Sequence, residues 1–142
     1  MAAYDDRVRD LLVGPPVRTG KLATVGVDGR PHVVPIWYDV DDDGTVVWNT
    51  GAATVKGRNL ARTGRAALCV DDDQPPFAFV TLQGPVQLGS DLDDLAYWAT
   101  RIGGRYMGAD AAEAFGARNA VPGELVVRLR PEHVLSGFDM SA

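Results

Sequence analysis

The sequence predicts a mainly β protein of the α+β class, a small antiparallel barrel with short flanking helices. Three observations carry this. Six or seven β-rich runs follow one another through short turns, and the strand–helix–strand rhythm of a parallel sheet is missing. The longest run, FAFVTLQGPVQLG at 77–89, is interrupted by Gly84-Pro85, and such a bend lets a small barrel close.

The totals set the frame. A chain of 142 residues is the size of one domain, here residues 1–142, and can bury about two-thirds of its unfolded surface. At 46% hydrophobic and 23% charged, with no apolar stretch near the ~20 residues of a membrane span, it reads as globular and free of the membrane. The N-terminal MAAYDDRVRD has no apolar signal core, so the expected location is cytoplasmic. A net charge of −5 and a pI near 4.8 give no overall basic footprint for nucleic acid. An anion site in such a chain must come from a few local cations. The single Cys69, in an apolar run, reads as a small core residue.

Element by element, YDDRVRDLLV spaces Val8, Leu11 and Leu12 as an N-terminal helix stopped by Gly14-Pro15-Pro16. LATVGV leads through Asp28-Gly29, a hairpin signal, into RPHVVPIWYDV. There Val34, Ile36, Tyr38 and Val40 share one face and Val33, Pro35, Trp37 and Asp39 the other. Pro35 lacks a ladder donor and marks an edge, a bulge or backbone facing a ligand. After the DDDG turn at 41–44, TVVWNT returns as a third strand, so the first three strands read as a meander. RAALCV is the next strand, and an acidic loop, DDDQPP, precedes the 77–89 run. Residues 91–107 are spaced as a helix interrupted at Gly103-Gly104, a second helical stretch covers 109–119, and ELVVRLR closes the sheet.

The chemistry centres on residues 45–70, TVVWNTGAATVKGRNLARTGRAALCV. Thr54 is placed to cap a short helix, with Lys56 and Arg58 in its first turn and a half. Cations at the positive end of a helix dipole make sense when an anion sits among them. A solvated helix face made of Lys56, Arg58 and Arg62 is equally consistent with the spacing. No His or Cys cluster has metal-ligand spacing, and the triplets Asp41–Asp43 and Asp71–Asp73 lack the rest of a calcium loop, so no metal is expected. Trp37 and Trp48 suit a flat ring but equally suit packing.

With these pieces in order, the chain resembles the pyridoxamine 5′-phosphate oxidase-like split β-barrel superfamily, and within it the actinobacterial deazaflavin (coenzyme F420)-dependent oxidoreductases. The carriers are LATVGVDGRPHVVPIWY, WNTGAATVKGRNLARTGRAALCV and FVTLQGPVQL. The resemblance implies an FMN-binding-protein-like barrel and a homodimer with cofactor sites in grooves between subunits. It also implies an F420H2-dependent reductase that passes a hydride to a conjugated small molecule, with FMN as the alternative cofactor. By the same resemblance, Lys56 and Arg58, with Thr54 and Thr50, hold the cofactor phosphate. The backbone of Pro35, Ile36 and Trp37 lies against the ring, Gln83 and Gly84 approach from a facing strand, and Arg105 and Tyr106 reach toward the partner subunit. HVLSGFDMSA lacks the basic C-terminal motif that relatives use for pyridoxamine phosphate, which points away from that substrate. Tyr38, Tyr106, His32 or solvent could supply a proton. Two other readings stand beside the reductase: an FMN-dependent oxidase, and a non-catalytic protein that binds flavin, deazaflavin or a haem-derived tetrapyrrole.

Overall fold

A single curled, wholly antiparallel sheet runs in the order β2-β1-β5-β6-β7-β4-β3, with β8 added on β6. The computed structural model describes residues 4–142; the first three residues of the acidic N-terminal stretch lie outside them. The strands are β1 (Gly20–Val25), β2 (Pro31–Ile36), β3 (Asp39–Val40), β4 (Val46–Gly51), β5 (Arg65–Asp72), β6 (Ala78–Gly89), β7 (Glu124–Leu129) and β8 (His133–Gly137). The helices are α1 (Asp6–Val13), α2 (Val55–Thr63), α3 (Leu92–Met107) and α4 (Ala112–Asn119), the last two joined by a single 3-10 turn.

The expected hairpin forms between β1 and β2, with Gly29 at a φ of 84° in its turn. The second expected connection, across the DDDG turn, also forms as β3 against β4, but the run that should join the two hairpins is broken. The chain leaves the sheet at Trp37 and Tyr38, and β4 pairs with β3 and β7, never with β2. The physical reason is Tyr38, whose fully buried ring carries the chain across the core while its hydroxyl donates to Leu12 O at 2.6 Å. Consequently β2 has one neighbour, and Pro35 stands on the terminal strand.

At Gly84-Pro85, β6 exchanges partners. Residues up to Gln83 pair with β8 and those from Val86 with β7. The connection between β7 and β8 crosses there so closely that a Cβ on Gly84 would lie 2.1 Å from Arg130 O. Strand β8, not anticipated as a separate strand, brings the count to eight.

The double glycine of α3 does not interrupt it. The helix runs to Met107 and is released by Gly108 at a φ of 95°. Gly103 is instead a packing position, because a Cβ there would stand 2.5 Å from that of Phe115 on α4. Inside the curl, Leu12, Leu22, Tyr38, Trp48, Leu68 and Leu82 form one core, and Leu95, Trp98 and Ile102 of α3 cover Val47 and Val126 as a second. Cys69 lies outside both. Its neighbours Leu68 and Val70 point inward, which turns the half-buried thiol to the outer face.

That outer face carries two in-register rows, Val33-Ala23-Ala67-Gln83-His133 and Pro35-Lys21-Cys69-Thr81-Leu135. Val33 is 67% and Leu135 64% exposed.

Candidate functional site

The start of α2 rests on the end of β4. Thr54 caps the helix by accepting from Gly57 N at 3.1 Å, and its hydroxyl donates to Gly51 O at 2.7 Å. The buried Thr50 hydroxyl lies 3.3 Å from that of Thr54. Gly57 permits this seat, since a Cβ there would fall 2.2 Å from Gly51 O. The helix start is therefore held by three hydroxyl or backbone contacts before any ligand is considered.

From this seat Lys56 reaches a cavity of about 230 Å³ where β2 ends, walled by Pro35, Ile36, Trp37 and Asn49 and roofed by α3 and α4. Asn49 Nδ2 is buried there without a hydrogen-bond partner. An unpaired buried amide costs about 1–3 kcal/mol, so a ligand acceptor at this position would recover a real deficit. Trp37 forms part of the wall by stacking on Tyr106, with ring centroids 5.1 Å apart and planes within 2°, and by meeting the edge of Phe115. Its ring is thus already partnered, which leaves the strand backbone and the cavity floor to face a flat ligand.

Arg105 and Tyr106 are tied to their own chain. The Tyr106 hydroxyl donates to Arg18 O at 2.7 Å and accepts from Tyr38 N, while Arg105 donates to Leu12 O and pairs with Asp39. Asp39 also pairs with Arg101 at 3.0 Å; the Asp39 and Arg105 side chains are only 13% and 11% exposed, so this cluster pins α3 across β3. Burial pushes the phenols of Tyr38 and Tyr106 above their ordinary value, and both hydroxyls are committed to carbonyls.

The expected phosphate ligands divide. Two residues apart on a helix, Lys56 and Arg58 point about 200° from each other. Arg58 opens with His32, Arg30 and Arg62 onto a second cavity of about 550 Å³. Gln83 and Gly84 line neither cavity: Gln83 is exposed on the outer face and Gly84 is buried under the Arg130 connection. The structure thus gathers Pro35, Ile36, Trp37 and Lys56, sets Thr50 and Thr54 behind them as the helix seat, and adds Asn49. Asparagine is depleted in strands, so its presence inside TVVWNT was the available signal.

A family model described as pyridoxamine 5′-phosphate oxidase matches residues 5–136. The chain belongs to that family. Among curated relatives, it is 41% identical over 56 residues to a 5a,11a-dehydrotetracycline/5a,11a-dehydrooxytetracycline reductase from Streptomyces rimosus, an overlap of 37% of this chain and 39% of that one. It is 34% identical over 92 residues, 65% of this chain, to the pyridoxine/pyridoxamine 5′-phosphate oxidase of Mesorhizobium japonicum and spans 44% of that protein. The chain therefore matches about two-fifths of the length of these relatives. Among solved structures, a conserved hypothetical protein from Mycobacterium tuberculosis superposes with a TM-score of 0.80 at 23% identity, over 99% of this chain and 88% of that one. An F420 reductase superposes with a TM-score of 0.71 at 24% identity, over 93% and 98%. These likenesses establish the split-barrel fold of the pyridoxamine 5′-phosphate oxidase family for this chain. Among the described residues, no helix is long and apolar enough to cross a membrane.

Proposed function

We propose that this member of the family is an F420H2-dependent reductase acting on a conjugated small molecule. The observation that carries the reading is the cavity at the end of β2, where Lys56 and the unpaired Asn49 amide stand beside the backbone of Pro35–Trp37. A cation and a free donor suit an anionic, carbonyl-bearing ligand, and the terminal strand offers a flat wall. When bound, the reduced deazaflavin supplies the two-electron chemistry. The chain's own residues bind and orient: Lys56 holds a phosphate, Asn49 donates to a ring or phosphate oxygen, and Trp37, stacked on Tyr106, keeps water from one side. With both phenols committed to carbonyls and His32 lining the other cavity, the proton comes from solvent.

Likeness to the dehydrotetracycline reductase supports a reductase, and the fold shared with an F420 reductase makes deazaflavin a consistent choice. FMN is the second reading, favoured by the matched oxidase relatives, and it uses the same cation and wall.

A second copy of the chain completes the groove. A cavity of about 230 Å³ is smaller than the ~300–1,000 Å³ of pockets that enclose such ligands. The outer sheet face, with Val33 and Leu135 exposed beside small residues, offers the apolar surface for pairing. Light scattering at micromolar concentration should give a dimer; a monomer that holds cofactor would refute the shared groove.

Fluorescence titration with F420 tests the main reading. Lys56→Ala should weaken binding by about 1–3 kcal/mol, roughly 5- to 150-fold. Unchanged curves would remove Lys56 from the site. A protein that purifies with a flavin spectrum would move the assignment to FMN, and binding without turnover of any electron acceptor would move it to storage.

A further inference from the structure

At its open end the β1–β2 ladder has a phenol where its next rung would be. Gly26 N donates to Arg30 O at 2.9 Å beside the hairpin turn, so the alternation of an antiparallel pair puts bonded pairs at Thr24 with His32, Leu22 with Val34 and Gly20 with Ile36. Pro31 and Pro35, which have no N–H, lie in the intervening pairs, opposite Val25 and Lys21, as this phase requires. Continued in the same register, the next bonded pair would set Tyr38 N against Arg18 O. Both groups bond instead to the Tyr106 hydroxyl, which accepts from Tyr38 N at 3.2 Å and donates to Arg18 O at 2.7 Å. Two bonds in series thus span a gap that a single bond of about 2.9 Å closes in a regular ladder, and the strands part here.

This rung lies where the chain leaves the sheet. Ile36 ends β2 and Asp39 begins β3; among the described residues, the hydrogen bond that holds the main chain between them is the one from Tyr38 N to Tyr106. The Tyr106 ring also stacks on Trp37, with centroids 5.1 Å apart and planes within 2°. Tyr106 therefore grips the segment twice, by an amide and by a ring. Its own place is fixed from α3, where the adjacent Arg105 pairs with Asp39 and donates to Leu12 O. Pro35, Ile36 and Trp37, just before the rung, wall the first cavity, and Tyr106 does not line it.

We infer that Tyr106 is a positioning residue: its hydroxyl, inserted as a rung between Arg18 and Tyr38, holds β1 and β2 apart and so sets the Pro35–Trp37 wall against which the cofactor ring lies. The inference rests on the cofactor reading of the first cavity. Tyr106 acts through Trp37 and Tyr38 and touches no ligand. With the hydroxyl removed, a phenyl ring still stacked on Trp37 keeps the strands from closing. Tyr38 N and Arg18 O then lose their partner, and the wall is free to shift.

Two phenylalanine substitutions test this. Tyr106→Phe keeps the stack and removes the rung. Tyr38→Phe removes a different buried hydroxyl, the one that donates to Leu12 O, and keeps the rung, so it controls for lost stability. Each protein is titrated with F420 and FMN, and the absorption band of the bound ring is recorded at saturation. Tyr106→Phe should weaken binding about fivefold or more and displace the saturated band, while Tyr38→Phe stays within about twofold of wild type and keeps its band. A saturated ligand reports its surroundings and not the fraction of folded protein, so a merely destabilised variant would leave the band in place. A wild-type band in saturated Tyr106→Phe, or an equal displacement in Tyr38→Phe, overturns the inference. Failure of the cofactor reading looks different: wild type binds neither F420 nor FMN. The rung is then read from amide hydrogen exchange, where the Tyr38 amide should exchange about tenfold faster in Tyr106→Phe than in wild type, and an unchanged rate would refute it.

Discussion

Substituting Gly57 by alanine sets the helix propensity of α2 against its seat on β4. The added methyl would lie 2.2 Å from Gly51 O and 3.1 Å from both Ala52 O and Thr54 Oγ1. To reach even 3.0 Å, the backbone of the helix start must lift by about 0.8 Å from its seat. Both partners in the closest contact are main chain, so no side-chain rotation relieves it. Overpacking of this kind costs about 1–3 kcal/mol, and the change from glycine to alanine inside a helix returns about 0.5–1. The net expectation is a loss of about 1–2 kcal/mol, or roughly 2–8 °C in Tm for a chain of this size. Gly89→Ala is the control, because a methyl there meets nothing within 4 Å. Scanning calorimetry of the two variants beside wild type reads the difference. Since the same displacement moves Thr54 and Lys56, F420 or FMN affinity should fall in Gly57→Ala and hold in Gly89→Ala. A Gly57→Ala variant with wild-type Tm and wild-type affinity would show that α2 is not held against β4 as described.

Two further substitutions separate stability from function. Asn49→Leu removes a buried donor with no partner, so Tm should hold or rise by a few degrees while cofactor affinity drops about tenfold; a parallel fall in both would mean that the amide serves the fold. Tyr38→Phe should cost about 0.5–1.5 kcal/mol in urea unfolding, because Leu12 O keeps its bond from Arg105, and it should leave turnover unchanged. The same phenol makes stability depend on alkaline pH. Burial raises its folded-state pKa above the ordinary 10.0, so its contribution is complete below pH 10 and declines as pH rises beyond that value. Tyr38→Phe should therefore flatten the alkaline arm of a Tm-versus-pH curve, and an unaltered arm would assign that arm to other groups.

Much of the fold was legible because its signals are local. The Thr54 cap, the Asp28-Gly29 turn and the bend at Gly84-Pro85 each depend on residues within a few positions, and each stands where the sequence placed it. What failed depended on distant partners. Strand β4 returns across the DDDG turn to pair with β3 as expected, yet its longer register is with Glu124–Leu129, and nothing near residue 46 records that. The double glycine of α3 reads as a break by propensity alone, and only Phe115, twelve positions beyond Gly103, reveals it as a close helix contact. Cys69 shows the same limit, because strand alternation gives two faces without saying which one the rest of the chain will cover.

The site divides along the same line. That Lys56 and Arg58 point to opposite sides of α2 follows from helix geometry and could be read from their spacing. Which side faces the end of β2 could not. It is set by how α2 is docked, and the dock is a tertiary contact: Asn59 reaches Thr24 on β1, which pairs His32 of β2 directly opposite. This chain of contacts fixes the Arg58 side of the helix toward the hairpin and leaves the Lys56 side toward Trp37. The separation between the two cationic poles is therefore a property of the β1–β2 hairpin as much as of the helix. Shortening Asn59 to alanine would loosen the dock without touching either cation. Cofactor binding at the Lys56 cavity should then weaken although Lys56 itself is untouched, and unchanged affinity in a titration would show that this dock does not position Lys56.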